Sequence, residues 1–191
     1  MVQADGRIVV IGASAGGVDA LSRIARDFPA AFGAPVCIVL HIPPGAPSIL
    51  PEILRRDCRL QVVHAEDGRT LENGTLYIAP PDHHLLVEKN HTMSVIRGPR
   101  EHGHRPAVDP LFRSAAAAYE RGSVGVVLTG NLGDGTAGML AIHRHGGRTI
   151  VQDPNDAPNP SMPQSVLQHM TVDEVVPLAD VVLAILRSLH S

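Results

Sequence analysis

Gly12-Ala13-Ser14-Ala15-Gly16 sets a serine between two glycines at G-x-S-x-G spacing, directly after the apolar run Ile8-Val9-Val10. That arrangement suits two chemistries. A serine on a sharp strand-to-helix turn stands out as a nucleophile, and its neighbours must be small because the turn forces backbone and side chains together. A glycine-rich turn opening a helix can instead aim backbone N–H groups at an anion, and Gly12, Gly16 and Gly17 would cradle a phosphate nearly as well. By background glycine and serine usage the string arises by chance in roughly one chain in twenty of this size. Its place between a predicted strand and a predicted helix is what gives it weight.

The next strand bears on the choice. A dinucleotide site normally carries Asp or Glu about 20 residues on, at the end of the second strand, to hold a ribose hydroxyl. Here the second strand, VCIVL, ends in His41. Neighbouring strand ends in a doubly wound sheet open into one crevice, so an imidazole there could take the proton of Ser14 and pass it to a leaving group. The competing reading is a strand-end histidine satisfied by backbone. A third group must hold the imidazole tautomer, and in serine-hydrolase triads its loss costs about 10⁴ in turnover. Asp134, in VVLTGNLGDGTAG, again follows a buried strand through a glycine-rich turn. Its plain structural use would be to N-cap the helix beginning near Thr136. Asp82, Asp109, Asp153 and Asp156 are other loop carboxylates that spacing does not exclude.

These residues need elements to hold them. Short β-branched runs alternate with alanine- and leucine-bearing segments: Arg7 to Gly12 then Val18 to Phe28, and Pro35 to His41 then Ser48 to Arg56. The pattern returns as Ser123 to Thr129 with Thr136 to His145, Arg148 to Gln152 with Pro163 to His169, and a last helix over Leu178 to Leu189. Ala107 to Tyr119 reads as a long helix. Runs such as VVLTG and TIVQD are apolar at successive positions, as a sheet covered on both faces requires. Thr75 to Ala79, His84 to Glu88 and Met93 to Ile96 read as short strands of an appended antiparallel hairpin. The expected fold is α/β, a doubly wound, mostly parallel sheet flanked by helices, in a single domain over residues 1–191. Its loops at Ile42 to Pro47, Gly98 to Pro110 and Asp153 to Pro163 would lie at one edge of the sheet, where such folds place their sites.

Several separated motifs in this order resemble one family, the catalytic domain of CheB-type chemotaxis protein-glutamate methylesterases. They are Gly12 to Gly17, Leu40-His41-Ile42-Pro43 and Leu128-Thr129-Gly130 through Asp134-Gly135, joined by YIAPPDHH from Tyr77, HRPAVDPLFRSAA from His104, VQDPNDA from Val151 and SMP from Ser161. The resemblance implies a serine hydrolase that removes methyl esters from chemoreceptor glutamates, with Ser14 as nucleophile, His41 as general base and acid, and Asp134 orienting His41. Members often deamidate glutamine as well. Backbone N–H groups near Ala15 and Asn131 are candidate oxyanion donors. Ser, His, Asp order also differs from α/β-hydrolases, where the acid precedes the histidine.

Two departures from the family pattern stand out. Where the family has TGMG, this chain has Thr129-Gly130-Asn131-Leu132, which alters the oxyanion region. A full chemotaxis methylesterase also carries an N-terminal receiver domain, whereas here the first strand begins within a few residues of Met1. The expectation is a stand-alone catalytic domain with a separate regulator, acting on a methylated chemoreceptor or another glutamate-methylated signalling protein. Alternatives are a non-catalytic nucleotide- or anion-binding module, and a small-ester hydrolase outside chemotaxis.

Composition narrows the rest. A net charge of -3 offers no basic field for nucleic acid, and the longest apolar runs are far short of the roughly 20 residues that span a bilayer. The start MVQADGR lacks a signal-peptide core, and Cys37 and Cys58 show no metal-ligand spacing and read as inert thiols, so a cytoplasmic setting without cofactor is expected. Glu101-His102-Gly103-His104 lacks the i, i+4 geometry of a helical metal site, and no metal is assigned to it. Arg105 could approach an acidic substrate, although a loop arginine is usually only solvated.

Overall fold

The computed structural model describes residues 6–43 and 45–190. Strands β1 (Ile8–Ala13) and β2 (Val36–Leu40) are buried at every position and pair in parallel, because helices cover both faces of the sheet. Between them lies α1 (Gly17–Asp27), and the short α2 (Leu50–Leu54) follows β2. Next come β3 (Gln61–His64), β4 (Thr75–Ile78), β5 (His84–Val87) and β6 (Met93–Ile96). The second half runs α3 (Val108–Tyr119), β7 (Ser123–Val127), α4 (Thr136–Arg144), β8 (Arg148–Gln152), α5 (Ser161–His169), β9 (Glu174–Val176) and α6 (Val181–Leu189).

Seven strands form one parallel sheet in the order β3-β4-β2-β1-β7-β8-β9. The chain works outward from β1 through β2, then returns to the other side of β1 at β7. That reversal opens a crevice beyond the carboxyl ends of β1, β2 and β7, the usual ligand position in open α/β sheets.

Alternate strand residues feed two cores. Val9, Ile11 and Ala13 face a layer that includes Leu21 and Ile24 of α1 and Val181 and Ile185 of α6. Ile8 and Val10 face the opposite layer, with Leu111 and Phe112 of α3, Met139 and Ile142 of α4, and Met162 and Val166 of α5. Pro110 is tolerated in α3 because it falls in the first turn, where its missing N–H has no intrahelical partner to lose.

Three sequence expectations need correction. The run from Thr75 belongs to the main sheet, where β4 lies parallel between β3 and β2; the appended hairpin is β5 and β6 alone. Full burial of all four β4 residues is the physical reason, since a hairpin strand facing water would alternate. The two edge strands, β3 and β9, were not expected. The segment at Ser48 to Arg56 is helical only over Leu50–Leu54, and α6 is preceded by a 3-10 turn at Leu178–Asp180.

Candidate active site

Ser14 follows the last residue of β1 and sits half-buried between strand and helix. Its N–H donates to the Thr129 carbonyl (3.0 Å), and its carbonyl accepts from Gly17 N–H (2.8 Å), closing the turn. Gly16 takes φ 77°, a left-handed conformation that glycine adopts without steric cost, and the chain reverses there into α1. Close approach from the facing loop is what Gly130 supplies: a Cβ on it would stand 2.8 Å from Ser14 Cβ and would also strike the Met162 sulfur.

His41 lies one residue past β2, and its backbone N–H donates to the carbonyl of Ala13, the residue before Ser14 (3.1 Å). Its Nε2 is 2.7 Å from Asp134 Oδ2. Its Nδ1 is buried and has no hydrogen-bond partner among the described residues. The structure therefore brings His41 and Asp134 into contact and sets Ser14 beside them, with no hydrogen bond formed between Ser14 and the imidazole.

Asp134 is fully buried, and its carboxylate accepts three hydrogen bonds: from His41 Nε2 and Val108 N–H (2.7 Å) on Oδ2, and from Asp109 N–H (2.9 Å) on Oδ1. Burial alone would push the carboxyl pKa up, but the hydrogen bonds from His41, Val108 and Asp109 outweigh it and hold the group below the usual carboxylate range. The helix that Asp134 caps is α3, not α4. Asp109, in the first turn of α3, returns the arrangement, its Oδ1 accepting from Gly135 N–H (3.0 Å) and Gly138 N–H (2.6 Å) at the start of α4. Each carboxylate thus satisfies the orphan amides that open the other's helix. The Asp109 carboxyl is pushed up by burial and by Asp134, against the hydrogen bonds from Gly138 and His102.

Sequence reasoning missed two neighbours of the site. His104 stacks flat on His41, ring centroids 3.7 Å apart and planes 6° from parallel. Thr129 is buried behind Ser14, its Oγ1 donating to the Ala15 carbonyl (3.0 Å) and its N–H donating to Gln152 Oε1 (2.9 Å). The motifs Leu128-Thr129-Gly130 and HRPAVDPLF include both residues, but no spacing rule gives either a place beside Ser14 or His41.

Of the two oxyanion candidates, Ala15 opens the turn before α1, and Asn131 is exposed just after Gly130, whose own N–H and carbonyl are tied to Asn159 and Met162. Leu132 beside it takes φ 67° and is 64% exposed, so an apolar side chain stands at the rim in a conformation that favours glycine. Arg105 is not free to meet a substrate: its guanidinium donates to Asp82 Oδ1 (2.6 and 2.9 Å) and to the Gly98 carbonyl (2.7 Å).

Among the described residues, His102, Asp109 and Asp134 offer three cation-ligand atoms within 4.8 Å of one another. A cation there would have to displace the hydrogen bonds those atoms already make. His102 and His104 themselves turn to different partners, Asp109 and His41.

Comparison with known proteins shows the family. The sequence model of the CheB methylesterase family matches residues 9–185. A Leptospira interrogans relative assigned as a protein-glutamate methylesterase/protein-glutamine glutaminase is 39% identical over 170 residues, 89% of this chain and 88% of that one. The Salmonella typhimurium protein-glutamate methylesterase/protein-glutamine glutaminase is 38% identical over 178 residues, 92% of this chain and 51% of its own length. The crystal structure of the Thermotoga maritima CheB methylesterase catalytic domain superposes with a TM-score of 0.92 at 34% identity, covering 96% of this chain and 98% of that one. Matched by the family model over most of its length, by these relatives and by a solved catalytic domain, this chain belongs to the CheB methylesterase family.

Proposed function

We propose that this protein hydrolyses glutamate methyl esters on a chemoreceptor or another glutamate-methylated signalling protein, with Ser14, His41 and Asp134 as its catalytic residues. The observation that carries the reading is the 2.7 Å bond from His41 Nε2 to a fully buried Asp134. That bond commits one ring nitrogen and leaves Nδ1 as the base. A nucleotide-binding module would have no use for it.

Ser14 Oγ attacks the ester carbonyl carbon as His41 Nδ1 takes its proton. The carbon–methoxide bond then breaks, and the same proton goes out with methanol, leaving an acyl-serine. Water attacks that ester with its proton passing to His41, and the proton returns to Ser14 Oγ as glutamate departs. Asp134 stays ionised throughout and stabilises the imidazolium. Backbone N–H groups of Ala15 and Asn131 receive the developing oxyanion; one such donor contributes about 2.7–4 kcal/mol. His41 Nδ1 has no hydrogen-bond partner here among the described residues, and catalytic hydrogen bonds of this kind commonly tighten only when substrate binds. With ammonia in place of methanol, the same steps convert a glutamine side chain to glutamate.

This route calls on no cofactor. Among the described residues, no helix is long and apolar enough to cross a membrane. A cytoplasmic enzyme governed by a separate regulator fits the reading. Ser14→Ala is expected to abolish methanol release from a methylated receptor, and release at the parent rate would overturn the assignment.

A further inference from the structure

The proposed mechanism makes no use of Glu101-His102-Gly103-His104, yet one of its imidazoles stacks on His41 and the other bonds Asp109, whose N–H donates to Asp134. Glu101 and His104 exchange backbone hydrogen bonds (3.1 and 2.8 Å), with His102 (φ 49°) and Gly103 (φ 77°) between them. Two positive φ values at the centre make this a primed hairpin turn, a conformation histidine tolerates better than most residues. The turn is fastened to α3 twice, by His102 Nε2 on Asp109 Oδ2 (2.9 Å) and by Arg113 on both oxygens of Glu101 (2.8 and 2.9 Å). Asp109 in turn donates its N–H to Asp134 Oδ1. From the same turn, His104 lies flat on the face of His41.

The His41 ring needs such a restraint. Its Nε2 bond to Asp134 fixes one point, and with Nδ1 unpartnered the ring can still rock about that bond. Histidine χ2 is a broad torsion that sets no plane by itself. A parallel ring at 3.7 Å removes that freedom.

We propose that the Glu101–His104 turn is a positioning clamp on the His41–Asp134 couple, in which His104 fixes the plane of the His41 ring and His102 anchors the turn to Asp109. The clamp rests on the triad reading above. The groups facing His104 are His41, Asp134, His102 and Arg100. Burial of the ring, then the neighbouring His41, lower its pKa against the pull of Asp134, so the stacked partner is a neutral ring. A neutral aromatic face remains attractive when His41 becomes imidazolium during turnover.

Steady-state methanol release by the full chain, with thermal melts of each variant, tests this. His104→Ala should lower kcat about tenfold with KM within about twofold, because a rocking base is less often aligned for attack. His104→Phe, which keeps a flat ring and carries no proton, should recover most of the loss. His102→Ala should show the same kcat-selective loss and His102→Gln, which retains a donor for Asp109, should recover it. The double alanine variant should be little worse than His104→Ala, since both act through one ring. An active parent with His104→Ala at the parent kcat, no recovery in His104→Phe, or additive losses in the double variant would overturn the clamp alone. A parent that releases no methanol and whose Ser14 resists a serine-directed acylating reagent would overturn the triad reading and the clamp together.

Discussion

Asp134→Asn separates the proposed catalytic work of one side chain from its structural work. Asp134 accepts from three donors: His41 Nε2 and Val108 N–H at one oxygen, Asp109 N–H at the other. An asparagine brings one acceptor and an NH₂ group, so in either orientation the NH₂ meets an N–H. Turned toward Asp109, it opposes a backbone amide that cannot move, and a buried unpaired donor costs about 1–3 kcal/mol. Turned toward His41, it also meets Val108 N–H, and it favours the tautomer protonated on Nδ1, the nitrogen that must accept the proton of Ser14. Both orientations remove the charge that stabilises imidazolium. The expected fall in kcat is about 10⁴, as for the orienting acid of other serine triads, or about 5 kcal/mol of barrier. Losing the cap on α3 should cost about 1–2 kcal/mol of stability, a drop of roughly 2–8 °C in Tm for a chain of this size. Single-turnover methanol release, labelling of Ser14 by an acylating reagent and a thermal melt read the two effects separately. A folded variant that keeps kcat within tenfold of the parent would refute the reasoning.

Other expectations are shorter. Leu132→Gly removes a left-handed penalty of about 1–2 kcal/mol and adds about 0.5–1 kcal/mol of chain entropy, so stability should stay level or rise slightly. If the exposed leucine touches substrate, KM rises while kcat holds, as steady-state kinetics would show. Phe112→Ala empties a fully buried site between α3 and α4 and should cost about 3–5 kcal/mol in urea unfolding. The two buried aspartates should pull stability in opposite directions with pH. Asp134, held low, stabilises the fold above about pH 4, the unfolded carboxylate value, and that gain is lost as pH falls through its folded pKa. Asp109, pushed up by burial, favours the fold below about pH 4, and that gain is lost as pH rises through its folded pKa. Denaturant titrations at pH 4 and 7 should therefore show Asp109→Asn gaining relative to its parent at the higher pH, and no change in that difference would count against the burial argument.

Which parts of this molecule could be read in advance follows from where the signals reside. The central strands β1, β2 and β7 announce themselves as largely apolar runs because both their faces are covered, and the ends of β1 and β2 place Ser14 and His41 side by side. Edge strands carry a weaker mark. In β3, Gln61 is exposed and Val62 buried, and β9 has three residues with none buried, so each blends into its loops. Thr75 to Ile78 was recognisable as a strand, but its partners β2 and β3 depend on long-range pairing. For Asp134, a cap at a glycine-rich turn was the natural structural reading. Local sequence could not reveal that the helix it caps begins at Val108, 26 residues earlier, and that Asp109 serves its own helix instead. The stack of His104 on His41 joins residues far apart in sequence, so no spacing rule could show it.

The exchange of caps between α3 and α4 bears on how activity arises as the chain assembles. The first turn of each helix uses a carboxylate oxygen from the other's opening: α3 from Asp134 in the loop before α4, and α4 from Asp109 in the first turn of α3. The acid that steadies His41 therefore becomes available only when the two helices have docked. During refolding, helical signal should recover ahead of esterase activity, and the lag between them would time that docking event. A preparation with native helix content but no turnover would then contain chains stalled one step short of it.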